Sequence, residues 1–372
     1  MKIAIDVSQI VYGTGVSNYV KNLVVNLLAI DNRNQYCLFG GTLREQKKLV
    51  RFYQQLKGDN FETKITPLSP HLANFLWNRL HTLPVETLTG PTDVYLSSDW
   101  AQAPTKKAKT ITIVYDLIPW LYPETLHPRI INTHQKRMTW IKKEVNRVVV
   151  ISESTKKDLN KTIGISKEKI IVAYPGLDRT KFFPQGKEKI AQIKKKYQLK
   201  NYILGLGTQE PRKNFVQVIE AFNNLEKNNR QLAIVGKYGW GSKIKKLKNS
   251  KTQKLKILGY VPDQDLAPLY SGAQAFVYPS LYEGFGMPIV EAQACGCPVI
   301  TSNTSSMPEA AGEGAVLVNP NNTGEIVRAL EKIINNRSFR KNLIKKGEKN
   351  ANQFSWKKTA QKILRAIESS QP

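Results

Sequence analysis

Ala275-Phe-Val-Tyr-Pro-Ser-Leu-Tyr-Glu-Gly-Phe-Gly-Met-Pro-Ile-Val-Glu291 runs from an apolar segment through a glycine loop into a second apolar segment. Residues 275–280 read as a strand, and residues 289–295 as the opening of a helix. Pro288 suits the first helical position, where a missing N–H costs nothing. Glu291 then falls in the first turn, where the helix dipole favours a carboxylate. Glu283 stands ahead of it in the loop. The backbone N–H groups of residues 284–287 are expected to point outward, as an anion site at a helix start does. Such a loop offers acceptors to hydroxyls and donors to phosphates. Capping alone also accounts for Glu291, and solvation for Glu283, so the stretch needs the rest of the chain to decide it.

Working outward, the second half alternates strands, expected at 202–206, 231–236, 255–261, 275–279, 298–301 and 315–318, with helical segments between them. The first half does the same, with strands at 2–7, 35–39, 93–97, 110–115, 145–151 and 169–173. Alternation of this kind gives parallel sheets covered by helices on both faces. The fold class is α/β, with two Rossmann-like domains facing each other across a cleft. Their expected bounds are 1–180 and 181–352, with the Lys-rich run to Lys196 as linker. The last helix, about 353–372, is expected to return to the first domain. Residues 43–57 read as a basic helix. Leu72, Phe75, Leu76 and Leu80 recur at helical spacing beside Arg79, a stripe read as core in preference to a membrane or lipid contact.

A chain of 372 residues exceeds what one hydrophobic core usually serves. No window approaches the ~18 apolar residues of a membrane span, and Met1-Lys-Ile-Ala-Ile-Asp6 reads as a strand, not as a signal peptide. Cys37, Cys295 and Cys297 suit a reducing cytoplasm, and Cys295-Gly-Cys297 lacks zinc-site spacing. The net charge is +27, carried as 25 Lys+Arg against 15 Asp+Glu in residues 1–180 and 31 against 14 thereafter. Such a balance fits nucleic acid, an anionic membrane face or a merely basic solvated surface. The aromatic–basic interleaving of single-strand binders is not evident, and no specific nucleic acid is expected.

Two glycine turns follow first strands. Gly13-Thr-Gly15 opens a helix with Tyr19, Leu23, Val24, Leu27 and Leu28 on one face. Asn18 stands where a dinucleotide fingerprint needs its third glycine, which argues against a nicotinamide site. Gly205-Leu-Gly-Thr-Gln-Glu-Pro-Arg-Lys-Asn214 places Arg212 and Lys213 before a helix, as a phosphate site does. Asp263-Gln-Asp265 has the spelling of a metal-binding Asp-x-Asp, but it follows Pro262 at a helix start, where capping accounts for both acids. His71, His81, His127 and His134 do not pair at metal-site spacing, and the last two are expected to face solvent.

Gly207-Thr-Gln-Glu-Pro-Arg-Lys-Asn214, Leu258-Gly-Tyr-Val-Pro262, Tyr278 to Glu291 and Met307-Pro-Glu-Ala-Ala-Gly312 occur in that order. With Gly13-Thr-Gly15, Tyr115-Asp116, Ile151-Ser-Glu-Ser154 and Pro175-Gly-Leu-Asp178, the chain resembles the retaining glycosyltransferases of family four, of GT-B fold, over almost its whole length. The wording Glu-Pro-Arg-Lys-Asn is most similar to the bacterial mannosyltransferase branch. The resemblance implies a nucleoside diphosphate sugar as donor, GDP-mannose first and a UDP-hexose behind it. It implies a glycan or lipid-linked acceptor in cell-surface polysaccharide synthesis, no cofactor and no metal. The enzyme would be cytoplasmic, its basic surface a means of resting on the cytoplasmic face of the membrane. Glu291 would hold the donor ribose and Glu283 a hydroxyl of the transferred sugar. Phe285, Gly286 and Met287 would meet the sugar and distal phosphate through their amides. Arg212 and Lys213 would take the charge of the leaving diphosphate, at a loop begun by Gly207. Tyr260 and Val261 would meet the base, and Gly15, from the opposite domain, the diphosphate. Tyr115 and Asp116 would line the acceptor side. Two departures stand out. Tyr115 replaces a frequent His, and Thr208 follows Gly207 where an Arg is common, so Arg212 would supply that cation. A sugar-nucleotide epimerase or a starch- or sucrose-type synthase of the same fold is the alternative, and a basic nucleic-acid module a remoter one.

Overall fold

The structure, a computed structural model, describes residues 1–225, 229–239 and 254–369. The chain divides into two compact units, Met1–Gly176 joined by the segment from Trp356 onward, and Leu177–Ser355.

The first unit is built on seven parallel strands: β1 (Lys2–Asp6), β2 (Gln35–Gly41), β3 (Phe61–Thr66), β4 (Val94–Ser98), β5 (Lys109–Val114), β6 (Arg147–Val150) and β7 (Ile170–Val172). Their order across the sheet is β3-β2-β1-β4-β5-β6-β7. Ile5 in β1 pairs with Leu38 on one side and Leu96 on the other. The central strands are buried on both faces, which is why they read as near-continuous apolar runs. One face is covered by the helix Gly15–Ile30, through Tyr19, Leu23, Val24 and Leu27, and by the helix Trp356–Glu368, through Ala360, Ile363 and Ile367. The other face is closed by Trp77, Tyr95, Phe39 and Val85.

The second unit has six parallel strands, β8 (Tyr202–Leu206), β9 (Gln231–Val235), β10 (Leu255–Gly259), β11 (Ala275–Tyr278), β12 (Val299–Ser302) and β13 (Ala315–Val318), in the order β10-β9-β8-β11-β12-β13. In both units the strand order reverses beside the first strand, between β1 and β4 and between β8 and β11. Loops leaving the carboxyl ends of strands part there, and crevices that hold ligands form at such switch points.

Four elements depart from the sequence reading. β3 was not foreseen. Phe-Glu-Thr-Lys-Ile-Thr lies at a sheet edge with Glu62 and Thr63 exposed, so it lacks the apolar run that marks the others. The basic helix near 43–57 is shorter, Gln46–Tyr53. The Lys-rich run is no linker: Lys187–Lys196 is a helix that buries Ile193 and lies against the helix Asp263–Gly272. Of the stripe at 72–80 only Leu76 packs against the core, and Leu72, Phe75 and Leu80 do not. After a short turn Pro70–Ala73 the chain widens into a π-helix, Asn74–Leu80. The i→i+5 turn shifts the phase of the stripe. Trp77 and Asn78 go inward, while Leu72, Phe75 and Leu80 are 43%, 44% and 51% exposed.

Candidate active site

The loops after β8 and β11 meet at the second unit's switch point. Residues Pro211–Lys213 form a single 3-10 turn, and Asn214, at φ 59°, starts the helix Phe215–Asn223. The Nδ2 of Asn214 donates to the carbonyls of Pro279 (3.1 Å) and Pro320 (2.7 Å), stitching this loop to those after β11 and β13. The backbone of Glu283 is held in turn. Its N–H donates to Ser305 Oγ (3.3 Å), and its carbonyl accepts from Ser305 (2.9 Å) and Ser306 (2.8 Å).

These anchors bring Glu283, Arg212 and Lys213 into contact. Lys213 Nζ lies 2.6 Å from Glu283 Oε1, and Arg212 Nη1 lies 2.8 Å from Oε2. Arg212 also donates to the Tyr282 carbonyl (2.5 Å) and is paired with Glu210. The Tyr278 hydroxyl donates to Glu283 Oε1 (2.9 Å) and accepts from Lys213 Nζ (2.8 Å). Burial alone would raise the Glu283 pKa. Lys213 and Arg212 outweigh it and hold the carboxyl down at about 2. Burial works against the charge of Arg212, yet Glu283 and Glu210 keep its pKa above the usual value. Lys213, where burial prevails over Glu283, is shifted down. Two cations and one ionised carboxylate thus stand ready at a carboxyl strand end, the charge pattern that a polyanion with hydroxyls would meet.

The helix after this loop is Met287–Ala294 and starts from Gly286, whose φ of 103° is a left-handed conformation that glycine adopts without strain. Pro288 is therefore the second helical residue and Glu291 the fifth. The dipole falls off within the first turn, so it no longer accounts for Glu291. Glu291 is partly buried, accepts a 3.2 Å bond from the Tyr270 hydroxyl, and burial pushes its pKa up to about 7 against that bond. A carboxylate so held has acceptor capacity left for hydroxyls.

The other expected residues fall as follows. Gly207 has φ 143°, and the Lys213 stem lies 3.3 Å from where a Cβ would stand. Phe285 is buried with its ring edge-on to Phe354 at 5.3 Å. Met287 is partly buried at the helix start. Val261 is buried, whereas Tyr260 is 66% exposed with Lys237 Nζ 5.3 Å over its ring. In the first unit Gly15 begins its helix with nothing within 4 Å of a built Cβ, so packing does not require glycine there. Tyr115 lies in the core, hydrogen-bonded to Ser98 (2.7 Å) and edge-on to Tyr19 (5.4 Å), with the partly exposed Asp116 beside it. Asp263 and Asp265 do sit in a first helical turn, but neither side chain caps it. Asp265 is bound instead by Lys196 (2.6 Å) and Tyr197 (2.5 Å). Among the described residues no His, Cys, Asp and Glu cluster could hold a metal ion. His127 caps the helix Pro128–Glu144, and His134, expected in solvent, packs near Trp100, where burial lowers its pKa to about 3. Sequence reasoning passed over Tyr278, Glu210 and Tyr270 as site residues. The first two lie inside motifs already quoted, and only contact shows their part.

Residues 13–181 match the family model Glycosyltransferase Family 4, and residues 186–350 match Glycosyl transferases group 1. The chain is 29% identical over 278 residues to the O-antigen chain mannosyltransferase B of Escherichia coli, covering 71% of each chain. It is 29% identical over 279 residues to the serotype-specific mannosyltransferase WbdA of the same organism, covering 71% of this chain and 34% of WbdA, so it spans about a third of that relative. Sucrose-phosphate synthase from Thermosynechococcus elongatus shares the fold, with a TM-score of 0.75 over 99% of this chain and 98% of that one at 18% identity. The chain belongs to the glycosyltransferases of GT-B fold, with a family 4 domain followed by a group 1 domain.

Proposed function

We propose that this glycosyltransferase moves a hexose, mannose first, from a nucleoside diphosphate sugar to a glycan or lipid-linked acceptor in cell-surface polysaccharide synthesis. The observation that carries the reading is the buried contact of Arg212, Lys213 and Glu283 at the second unit's switch point. Negative charge grows on the leaving diphosphate while the sugar becomes oxocarbenium-like. Fixed cations aimed at that charge are worth more in a water-poor site than in solvent. Glu283 holds a sugar hydroxyl, and Glu291 the ribose. Transfer proceeds with retention and without a metal, the leaving phosphate taking the acceptor's proton. Relatives named as mannosyltransferases favour mannose. GDP-mannose should raise the melting temperature above other nucleotide sugars, because a ligand at a hundred times its Kd stabilises by about 2.7 kcal/mol. The α-anomer should form from the α-donor, equally with and without EDTA. A panel in which no nucleotide sugar shifts melting would overturn the donor assignment.

Contact with an anionic membrane face belongs to the same reading. Leu72, Phe75 and Leu80 project from a chain of net charge +27, next to Arg79. Basic residues near such a surface contribute about 1 kcal/mol each. No helix among the described residues is long and apolar enough to cross a membrane. Phosphatidylglycerol vesicles should sediment the protein, and the triple change Leu72→Ser, Phe75→Ser, Leu80→Ser should cut that binding at least tenfold. Equal binding to neutral phosphatidylcholine vesicles would count against the contact.

A further inference from the structure

The first unit has its own switch point, between β1 and β4. A cavity lies there, lined by Asp6 at the end of β1, Ser8, Gln9 and Tyr12 after it, Trp100 after β4, and Trp77 among others, with no lysine or arginine in its wall. The cavity holds about 30 Å³, the space of one water or one hydroxyl group.

Three details of that cavity point to a ligand. Gln9 is 2% exposed, and its Nε2 donates to Asp6 Oδ2 (3.4 Å) and to the Ser98 carbonyl. Both partners are acceptors, which fixes the amide's orientation. Its Oε1 is left buried with no partner among the described residues. A buried orphan acceptor is destabilising, a cost that a ligand's donor would remove. Asp6 is as unevenly served. Ser8 gives Oδ1 two bonds, 2.9 Å from its N–H and 2.5 Å from its hydroxyl, while Oδ2 receives only the long bond from Gln9. Finally, Tyr12 and the partly exposed Trp100 supply aromatic faces at the rim, of the kind against which the apolar side of a sugar ring packs.

The charge is unlike the rest of this basic chain. Asp99 follows β4 directly, and burial raises its pKa to about 6, with Arg137 opposing and Asp116 and Asp6 adding to the rise. Arg137, which lowers the pKa of both Asp6 and Asp99, is buried and committed to Thr112 Oγ1 (2.8 Å) and the Ile113 carbonyl (2.9 Å). A phosphate or carboxylate arriving here would meet like charge, with no lysine or arginine lining the cavity.

We propose that this cavity is the acceptor subsite: Asp6 and Gln9 receive one hydroxyl of an uncharged sugar whose ring packs on Trp100, and anionic sugars are excluded. The inference rests on the transferase reading and narrows its acceptor to a neutral glycan end.

The test uses the whole protein and ligand-observed NMR titrations with methyl glycosides of α-mannose, α-glucose, α-galactose and N-acetylglucosamine, against mannose 6-phosphate and methyl glucuronide. At least one neutral glycoside should saturate, and both anionic sugars should bind at least tenfold more weakly. Asp6→Asn, Gln9→Met and Trp100→Ala should each raise the dissociation constant of the neutral glycoside tenfold or more. Each should keep the nucleotide-sugar thermal shift, which also reports folding. Trp100, at the rim, covers the case in which a floor variant fails to fold. Unchanged affinity in the variants, an anionic sugar bound as tightly, or no saturable glycoside overturns the subsite. Loss of the nucleotide-sugar shift in the unaltered protein instead strikes the transferase reading, so the two failures are distinguishable.

Discussion

Arg212→Met should lower kcat at least about a hundredfold and destabilise the protein by about 3–5 kcal/mol at neutral pH. Arg212 is 8% exposed and holds Glu283, Glu210 and the Tyr282 carbonyl at once. Methionine fills much of the space but serves none of the three. Glu283 then keeps only Lys213 and the partly buried Glu210 loses its ion pair, and breaking a buried pair from one side leaves an uncompensated charge. The depressed pKa of Glu283 sets the pH window. Its contribution is whole above the unfolded value near 4.5 and is lost only as pH falls toward about 2, so a neutral assay sees all of it. The double variant Arg212→Met, Glu210→Gln separates the two losses. It should recover much of the stability, since Glu283 keeps Lys213 and the carboxylate left without its cation is gone, and none of the transfer. Urea unfolding and initial rates, measured on the same preparations, give both quantities. A single variant with unaltered unfolding or undiminished kcat would remove Arg212 from the site.

The sequence showed the parallel sheets because buried parallel strands must be apolar on both faces, a signal strong enough for all six strands of the second unit. It failed at β3, where an edge position lets Glu62 and Lys64 stand on the strand, and at residues 72–80, where a π-helical turn rotated the stripe outward. The order of motifs brought out Glu283, Arg212 and Lys213. It did not show that they touch, since their contact depends on the Asn214 and Ser305 tethers between distant loops. Nor did any motif mark Gln9, whose orphaned oxygen is a property of burial and not of spelling.

Donor binding should strengthen as pH rises through about 7, and this dependence should vanish in Glu291→Gln. The ionised form of Glu291 accepts from two ribose hydroxyls, and burial pushes its pKa to about 7. Single-proton linkage then weakens donor affinity by up to about tenfold per pH unit below that value. The ligand-free protein should show the opposite slope. A carboxyl whose folded pKa lies above its unfolded 4.5 binds more protons when folded, so its stability contribution falls between pH 4.5 and about 7. The full effect is about 3 kcal/mol at about 1.4 kcal/mol per pKa unit. Glu291→Gln removes that cost, so it should be more stable than the parent at pH 8 while binding donor at least tenfold more weakly. A carboxylate placed merely to complete the first helical turn predicts the reverse, because the dipole would lower its pKa and its loss would destabilise. The fifth position of Glu291 in its helix already argues against that role. Calorimetric titration of donor from pH 5.5 to 8.5, with unfolding curves over the same range, decides between the two. A stability that rises through pH 7 with a pH-independent donor affinity would return Glu291 to the scaffold.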